Sequence, residues 1–300
     1  MASRVGVDVI AKRCGVTAES GRTLAEFTTI GVGGPVAWVL KPTGLADLAR
    51  LLADLKQEGY PVRVVGGGAN LIAGPGPFYE PVILTRGIKH GPIFEGTRVR
   101  AGCGVVVKRL VGKCAEHGLA GLEFAEGIPG TVGGTVFMNA GSYGGQMSDV
   151  VREVTWLDME GGTHRQAVAP TDFSYRRSPF QTGAVIVEAV FELAPGKRED
   201  LMTRLKEVSE KRSRSQPPGE RSAGCVFKNP PGDSAGRLID VSGLKGLAVG
   251  GAMVSPVHGN FIVNRGDATP EDVLRLIELI KQGVKERSGV TLEEEAIVWR

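Results

Sequence analysis

Two glycine-rich segments of this sequence have the composition of loops that bind phosphate groups. Residues 66–71 read Gly-Gly-Gly-Ala-Asn-Leu and directly follow an apolar stretch at residues 62–65. Residues 126–134 read Glu-Gly-Ile-Pro-Gly-Thr-Val-Gly-Gly. In such turns, successive main-chain N–H groups can point into one concavity and donate hydrogen bonds to phosphate oxygens. The first segment is not a P-loop, because no Lys-Ser/Thr pair follows it, and it lacks the G-x-G-x-x-G spacing.

Tight turns are the alternative explanation of these glycines. Glycine is used wherever the main chain takes a positive φ, so one cluster alone fits a strand-to-loop turn equally well. The chain has 44 glycines in 300 residues, against a usual share of about 7%. One anionic cofactor that reaches both clusters would explain both of them, whereas two unrelated surface loops would need separate explanations.

The elements predicted around the glycine clusters form an α/β unit. Residues 37–40 and 62–65 read as short strands, and leucines at one helical spacing between residues 45 and 55 mark a helix between them. Further elements are predicted at 98–101 (strand), 104–117 (helix), 150–157 (strand) and 184–193 (strand). Mixed α and β layers are therefore expected up to about residue 195.

A break at residues 195–196 separates this region from the rest of the chain. A charged helix follows at 198–212, and Gln-Pro-Pro-Gly at 216–219 cannot continue it. The clearest helix begins after Thr269 as N-cap, with Pro270 as its first residue. Short strands are predicted at 261–263 and 296–299.

The composition is that of an ordinary folded protein and excludes several functional classes. Hydrophobic residues make up 42% and charged residues 23%, and the net charge of +3 gives no support for nucleic-acid binding. No stretch approaches the ~20 apolar residues of a membrane helix, and the N-terminal stretch has no apolar core of a secretion signal. The four cysteines contain no C-x-x-C pair, which argues against a metal site and fits a reducing compartment. We therefore expect a cytoplasmic protein.

The glycine clusters belong to a longer ordered set of motifs. The other members are Thr-Thr-Ile-Gly-Val-Gly-Gly at 28–34, Tyr-Arg-Arg-Ser-Pro-Phe at 175–180, Ser-Ala-Gly-Cys-Val-Phe-Lys-Asn-Pro at 222–230, Gly-Arg-Leu-Ile-Asp at 236–240, Gly-Leu-Lys-Gly at 243–246 and His-Gly-Asn-Phe-Ile-Val-Asn at 258–264. Together they resemble the UDP-N-acetylenolpyruvoylglucosamine reductase family over nearly the whole chain. Each motif alone is weak, but the ordered set is highly specific.

The resemblance implies an α+β protein with an FAD-binding fold of the vanillyl-alcohol-oxidase (PCMH) type and a third, substrate-binding α+β domain. The expected FAD-binding subdomains are 1–85 and 86–195, the second together with a C-terminal strand at 290–300. The UDP-sugar domain is expected at 196–289 and would close over the substrate.

The activity that the resemblance implies is a reduction in two halves, in peptidoglycan precursor synthesis. NADPH reduces FAD, and the flavin N5 then gives a hydride to the methylene carbon of UDP-N-acetylglucosamine enolpyruvate. A proton added at the adjacent carbon gives UDP-N-acetylmuramate. No nucleic-acid, membrane or protein partner is implied.

Three side chains match the family's catalytic groups. Arg176 would stabilise the negative charge that hydride attack develops on the substrate carboxylate. Glu295 matches the C-terminal catalytic glutamate, and the family spacing L-E-x-E favours it over Glu293 and Glu294, either of which could substitute for it. Cys225 stands where most members have a proton-donating serine. Because a thiol has a reference pKa of about 8.5, it is mostly protonated at neutral pH and can act as a general acid.

The resemblance also implies binding residues. Those expected to hold FAD are Ile30, Gly66, Gly67, Gly68, Ala69, Asn70, Leu71, Gly127, Ile128, Pro129, Gly130, Gly133, Gly134, Asn139, Ala140 and Gly141. Those expected to contact the substrate are Tyr143, Tyr175, Lys228, Asn229 and Asn260.

The chain departs from the family pattern at two positions. Ser215, with Arg214 nearby, replaces a lysine expected before the Gln-Pro turn, and Ile297 replaces an arginine expected after the catalytic glutamate. Both departures leave open how the pyrophosphate is bound. The chain resembles the shorter subtype of the family, because no extra tyrosine-bearing loop is recognised in its sequence.

Two other functions stay open on the sequence. A different flavoenzyme on the same scaffold, such as an oxidase of small alcohols or sugars, would share the FAD loops, but the motifs around Arg176 and Cys225 argue against it. A nucleotide-sugar binding protein without redox chemistry is disfavoured by the two glycine clusters.

Overall fold

The computed structural model describes residues 4–300, which form two compact units assembled from separate stretches of the chain. The first unit comprises the described residues up to Ser20 with Ala37–Gly67 and Tyr79–Glu210, and the second comprises Gly21–Val36, Gly68–Phe78 and Lys211–Arg300. Each unit has a hydrophobic core of its own. The domain boundaries expected from the sequence stay a prediction.

The elements of the described residues are as follows. The α-helices are α1 Val7–Arg13, α2 Leu45–Gln57, α3 Val107–Glu116, α4 Val132–Phe137, α5 Met147–Val150, α6 Arg198–Ser215, α7 Ala235–Val241 and α8 Pro270–Ser288. The strands are β1 Thr17–Glu19, β2 Arg22–Thr23, β3 Pro35–Val36, β4 Val39–Lys41, β5 Arg63–Val65, β6 Leu71–Ala73, β7 Val82–Leu84, β8 Ile93–Glu95, β9 Arg98–Gly102, β10 Leu119–Ala120, β11 Gly141–Ser142, β12 Gly145–Gln146, β13 Val151–Asp158, β14 Thr163–Ala167, β15 Ala184–Glu192, β16 Ala194–Pro195, β17 Arg221–Cys225, β18 Ala248–Val249, β19 Ala252–Val254, β20 Phe261–Asn264 and β21 Ile297–Trp299. Short 3₁₀ turns lie at Leu24–Phe27, Thr85–Gly87, Glu123–Ala125 and Pro170–Asp172.

A four-stranded sheet of the first unit carries the first glycine cluster. Its strand order is β1-β4-β7-β5, and β4 and β5 both run parallel to β7. Helix α2 connects β4 to β5, since parallel strands need such a crossover. It buries Leu48, Leu51, Leu52 and Leu55 of the face that the leucine spacing predicted, whereas Leu45, the first residue of the helix, is exposed. Residue 66, the first glycine, directly follows β5.

A five-stranded antiparallel sheet in the same unit lies beside the second cluster. Its strand order is β14-β13-β15-β9-β8, and the long strands β13 and β15 confirm the two that were predicted. Helix α4 lies within the second glycine cluster and was not predicted. It forms because its apolar side chains Val132 and Val136 are completely buried, and this burial outweighs the poor helix propensity of its two glycines.

The second unit is built on the antiparallel sheet β17-β20-β19-β18. Helix α8 buries Val273, Ile277, Ile280 and Val284 in its core, and the predicted N-cap is confirmed because the Thr269 side chain accepts a hydrogen bond from the N–H of Asp272. None of the helices in residues 4–300 has both the length and the apolar character needed to cross a bilayer.

The C-terminal strand does not join the five-stranded sheet. We predicted that strand 290–300 would belong to the second FAD-binding subdomain, but β21 pairs in parallel with β6 in the second unit. The physical reason lies in the residues before it: the main-chain N–H groups of Glu295 and Ala296 donate to Val226 O, and that of Ile297 donates to Asn70 O. These bonds fix the strand to its own unit.

Candidate active site

The structure distributes the predicted site residues over both units. The first unit contains Gly66, Gly67, Gly127, Ile128, Pro129, Gly130, Gly133, Gly134, Asn139, Ala140, Gly141, Tyr143, Tyr175 and Arg176. The second contains Ile30, Gly68, Ala69, Asn70, Leu71, Cys225, Lys228, Asn229, Asn260 and Glu295.

The two glycine clusters of the first unit lie directly against each other. A Cβ atom on Gly67 would stand 2.7 Å from the Cα of Gly130, and one on Gly66 would stand 2.9 Å from Oγ1 of Thr131. A side chain at residue 67 would therefore force main chain apart. Close approach of two loops is thus the reason for glycine here, and it brings the clusters together as a single ligand site requires.

Thr131 is a residue of this cradle that the sequence reasoning missed. Its hydroxyl oxygen is buried and has no hydrogen-bond partner among residues 4–300. A buried hydroxyl without a partner costs free energy, on the order of 1–3 kcal/mol, and indicates a partner supplied from outside the chain. Its position inside the glycine cluster was the available sequence signal. The cradle therefore fits an acceptor-rich group such as a diphosphate.

Three strained residues of the first unit belong to the predicted site. Asn139, Tyr143 and Arg176 have φ angles of 42°, 48° and 57°, and they are the non-glycine residues with positive φ in the described part of the chain. Such a conformation costs about 1–3 kcal/mol for a residue with a Cβ, and strain of this kind clusters at functional sites. The strained main-chain conformations thus occur in the same segments that the sequence motifs assign to the site.

Arg176 lies in a tight turn between Ser174 and Arg177. The N–H of each of these two flanking residues donates to the carbonyl of the other, at 3.1 and 2.9 Å. The positive φ of Arg176 is what the third position of a type II turn requires. The guanidinium lies 5.0 Å from the centre of the Tyr175 ring and donates to Gly141 O at 3.4 Å.

Asn139 joins this turn to the end of helix α4. Its side chain is 1% exposed, and its Nδ2 donates to Ser174 O at 3.1 Å and to Gln146 Oε1 at 3.2 Å. Its Oδ1 accepts from Ser148 N at 2.9 Å. These bonds occupy the amide, so Asn139 shapes the site through the main chain around it.

In the second unit, Cys225 ends a strand that is bent by a β-bulge. Strand β17 pairs Ser222 with Val263 and Cys225 with Phe261 of β20, so β17 holds one more residue than β20 between the two pairs. Gly224 has φ +74°, which suits glycine and which a residue with a Cβ adopts at a cost. The bulge changes the direction in which the next side chain points. Cys225 is partly exposed.

The three adjacent glutamates have different environments. Glu294 pairs with Lys281 at 2.6 Å and with Arg300 at 2.7 Å. Burial alone would raise the pKa of Glu294, but these two cations outweigh it and lower the pKa. Glu293 pairs with Lys228 at 3.3 Å.

Glu295 is the glutamate whose main chain lies beside the cysteine strand. Its N–H donates at 2.8 Å to the carbonyl oxygen of Val226, the residue that follows Cys225 in the chain. The predicted cofactor residue Asn70 contacts it too, because Asn70 Nδ2 donates to Glu295 O at 3.3 Å. Asn70 thus helps to fix Glu295 in place.

The remaining predicted binding residues of this unit hold main chain. Asn260 is 3% exposed, accepts from Phe227 N at 2.9 Å and donates to Phe227 O at 2.8 Å. Asn229 Oδ1 accepts from Ala235 N at 3.0 Å. The carbonyl of Ile30 accepts from Asn264 Nδ2 at 2.9 Å. Asn260 thus bonds to both main-chain groups of Phe227, and its predicted contact with the substrate stays a prediction.

Comparison with known sequences decides the family. Residues 216–299 match the family model described as UDP-N-acetylenolpyruvoylglucosamine reductase, C-terminal domain, and residues 36–167 match one described as FAD binding domain. UDP-N-acetylenolpyruvoylglucosamine reductases of Alkalilimnicola ehrlichii and Geobacter metallireducens are 44% and 42% identical to this chain, covering 91% of it and 91% and 90% of their own lengths. The chain belongs to the UDP-N-acetylenolpyruvoylglucosamine reductase family.

Solved structures agree with this membership. The crystal structure of UDP-N-acetylenolpyruvylglucosamine reductase from Thermus caldophilus has a TM-score of 0.79 at 38% identity, covering 95% of this chain and 99% of that one. Berberine bridge enzyme from Eschscholzia californica, at 15% identity, has a TM-score of 0.50 over 64% of this chain and 44% of its own, a likeness of fold alone. The predicted fold class, an FAD-binding α+β reductase fold, is confirmed.

Proposed function

We propose that Cys225, Arg176 and Glu295 carry out the reductase reaction of this chain. The chain is an FAD-containing, NADPH-dependent oxidoreductase that reduces the enolpyruvyl group of UDP-N-acetylglucosamine enolpyruvate to UDP-N-acetylmuramate, a step of peptidoglycan precursor synthesis. The 44% identity to a reductase over 91% of both chains supports this activity. The structural observation that supports the residue roles is the bulge at Gly224, which presents Cys225 beside the main chain of Glu295.

The first unit fits the cofactor. FAD, when bound, supplies the hydride to the methylene carbon of the substrate. Gly66 and Gly67 let the two glycine-rich loops pack against each other, and the Thr131 hydroxyl between them can donate to a diphosphate the hydrogen bond that it lacks within residues 4–300. The contacts of FAD with the other residues expected to hold it are likewise part of this proposal.

Cys225 is the proposed proton donor. Its thiol gives its proton to the carbon next to the substrate carboxylate, and the thiolate that remains regains a proton from water. Most members of the family have serine here, and a serine hydroxyl is the weaker acid, so the cysteine of this chain suits general acid catalysis at neutral pH.

Arg176 is the proposed electrostatic stabiliser. Negative charge grows on the substrate carboxylate as the carbon–carbon double bond accepts hydride, and a fixed guanidinium lowers the free energy of that charge. The turn that holds Arg176 in a positive-φ conformation fixes it before the substrate arrives, so little reorganisation is needed during the reaction.

Glu295 is the proposed catalytic glutamate because it matches the position of the family's C-terminal glutamate and its main chain lies beside the cysteine strand. Glu294 lies in an ion-pair cluster with Lys281 and Arg300, and Glu293 pairs with Lys228. The main chain of Glu295 instead bonds to Val226 beside Cys225. This favours Glu295 as the glutamate that acts together with the cysteine.

The proposal also includes the subtype, the substrate contacts and the location of the protein. The chain resembles the shorter subtype of the family, and its candidate substrate contacts are Tyr143, Tyr175, Lys228, Asn229 and Asn260. Tyr143 and Tyr175 are exposed by 43% and 48%, so both rings are accessible to a ligand. The cytoplasmic location expected from the sparse cysteines stays a prediction.

Selective alkylation tests the role of the cysteine. Cys14, Cys103 and Cys114 are at most 1% exposed. Burial, together with the Asp54 carboxylate, raises the pKa of Cys14 to about 11, and burial raises the pKa of Cys103 and Cys114 to about 12. Since thiolates react and thiols do not, iodoacetamide at pH 7.5 should modify Cys225 first.

The expected outcome is a split between the two half-reactions. The alkylated enzyme should still be reduced by NADPH but should lose reoxidation by the enolpyruvyl sugar, and bound substrate should protect it. Cys225→Ser is the matched control and should resist inactivation by the reagent. Full activity after modification of Cys225, shown by peptide mass spectrometry, would overturn the assignment.

A further inference from the structure

The turn that carries Arg176 is held in place by one glutamine side chain. Gln181 Nε2 donates hydrogen bonds to Arg176 O and to Phe137 O, both at 3.0 Å. A primary amide has two N–H donors, which matches these two short bonds, and the sulfur of Met138 lies farther from Nε2, at 3.9 Å. Gln181 is partly buried, and no motif considered above includes it.

The Phe137 carbonyl, the second acceptor of Gln181, connects the Arg176 turn to a helix. Phe137 is the last residue of helix α4, where main-chain carbonyls have no partner within the helix. Its carbonyl also accepts from Ser178 Oγ at 2.8 Å. The turn is therefore tied to a secondary-structure element rather than to another loop.

A second bond ties the other side of the same turn to the residues that follow α4. Asn139 Nδ2 donates to Ser174 O, the carbonyl that closes the turn, at 3.1 Å. The turn is thus fixed on one side by Gln181 and on the other by Asn139, with Arg176 between them in a conformation that a non-glycine residue adopts only under constraint.

We propose that Gln181 is a positioning residue that holds the Arg176 guanidinium in its reactive orientation. This inference rests on the proposed catalytic role of Arg176. Without the glutamine, the carbonyl of Arg176 loses its amide partner, the positive φ loses the bond that constrains it, and the turn can relax. The guanidinium would then spend less time where charge develops on the substrate. Because both of its 3.0 Å hydrogen bonds go to main-chain carbonyls, and one of these is the carbonyl of Arg176 itself, its effect reaches the reaction through the arginine.

The test separates the two half-reactions in five variants. Gln181→Met keeps the side-chain length and removes both donors, and Ser178→Ala is the matched control, since it removes a bond to the same Phe137 carbonyl but none to Arg176. Arg176→Ala and the double variant of positions 176 and 181 complete a cycle. Stopped-flow absorbance follows flavin reduction by NADPH and flavin reoxidation by the enolpyruvyl sugar.

The expected result is specific to reoxidation. Gln181→Met should slow reoxidation about tenfold, the factor given by a net hydrogen-bond free energy of roughly 1.4 kcal/mol, and leave reduction by NADPH unchanged. Ser178→Ala should leave both rates near those of the native enzyme. In the Arg176→Ala background, Gln181→Met should cause no further loss. Gln181→Lys, whose ammonium can donate to both carbonyls, should restore most of the rate and covers the case in which the methionine variant fails to fold.

Each contrary result has its own meaning. If Arg176→Ala does not slow reoxidation, the proposed role of the arginine fails and the positioning role fails with it. If Arg176→Ala slows reoxidation but Gln181→Met does not, only the positioning role is wrong. Equal slowing of both half-reactions by Gln181→Met, or additive losses in the double variant, would show that Gln181 merely stabilises the fold.

Discussion

Replacing Asn260 by alanine should destabilise the second unit strongly, although the family resemblance suggested a substrate contact for this residue. The side chain is 3% exposed, and it bonds to the N–H and to the carbonyl of Phe227, which is itself 1% exposed. Asn260→Ala would leave both of these buried main-chain groups without partners. Each buried unsatisfied group costs about 1–3 kcal/mol, so a loss of roughly 2–6 kcal/mol in the free energy of unfolding is expected for the two groups.

Hydrogen exchange and calorimetry measure this effect directly. The amide of Phe227 should exchange faster in the variant, and the melting transition of the second unit should shift to lower temperature. Asn260→Asp is the matched variant, since it keeps the acceptor for Phe227 N–H and loses the donor to its carbonyl. It should leave the amide of Phe227 better protected than the alanine variant does. A higher KM for the UDP-sugar with unchanged stability and unchanged exchange at Phe227 would refute this reasoning and restore the substrate contact.

Three further substitutions follow from the same structure. Gly67→Ala places a Cβ 2.7 Å from the Cα of Gly130 and should yield protein that loses its yellow flavin on gel filtration, whereas Gly112→Ala, which meets no atom within 4 Å, should keep it. Glu294→Gln should lower stability by about 1 kcal/mol at pH 7. Because ion pairs lower the folded-state pKa of Glu294, its contribution is present above the usual glutamate range and lost as pH falls through the lowered value, so melting curves of the two proteins should converge in acid. In Gly224→Ala the new Cβ meets no atom within 4 Å, but the residue must keep φ near +74°, so the variant should lose about 1 kcal/mol of stability. It should also reoxidise its flavin more slowly, because the adjacent Cys225 is displaced. An unchanged reoxidation rate would show that the bulge does not position the cysteine.

The sequence predicted the elements whose signals are local. The leucine spacing of α2 and the N-cap of α8 each depend on side chains within one helix, and both predictions are confirmed. Helix α4 was missed because its glycines disfavour a helix locally, and only burial against the rest of the unit stabilises it. The pairing of β21 with β6 was missed for a related reason, since it depends on residues distant in the chain.

The site shows the same division between local and distant information. The motifs identified the segments, and family comparison confirmed the cofactor-binding fold. The positive φ of Arg176 could not be read from the sequence, because arginine has no preference for it and Gln181 stabilises it through space. Nor could the ion pair between Glu294 and Lys281 be read from the sequence, because the fold brings helix α8 beside the three glutamates.

The central claim is that Cys225 delivers the proton to the substrate. Single-turnover reoxidation of the NADPH-reduced enzyme by the enolpyruvyl sugar measures that step, with the native enzyme, Cys225→Ser and Cys225→Ala compared under the same conditions. The account predicts that the alanine variant is reduced by NADPH at the native rate but is reoxidised about 100-fold more slowly or worse, since general acid catalysis contributes factors of this size. The serine variant should retain substantial activity. Reoxidation of the alanine variant at the native rate would contradict the claim.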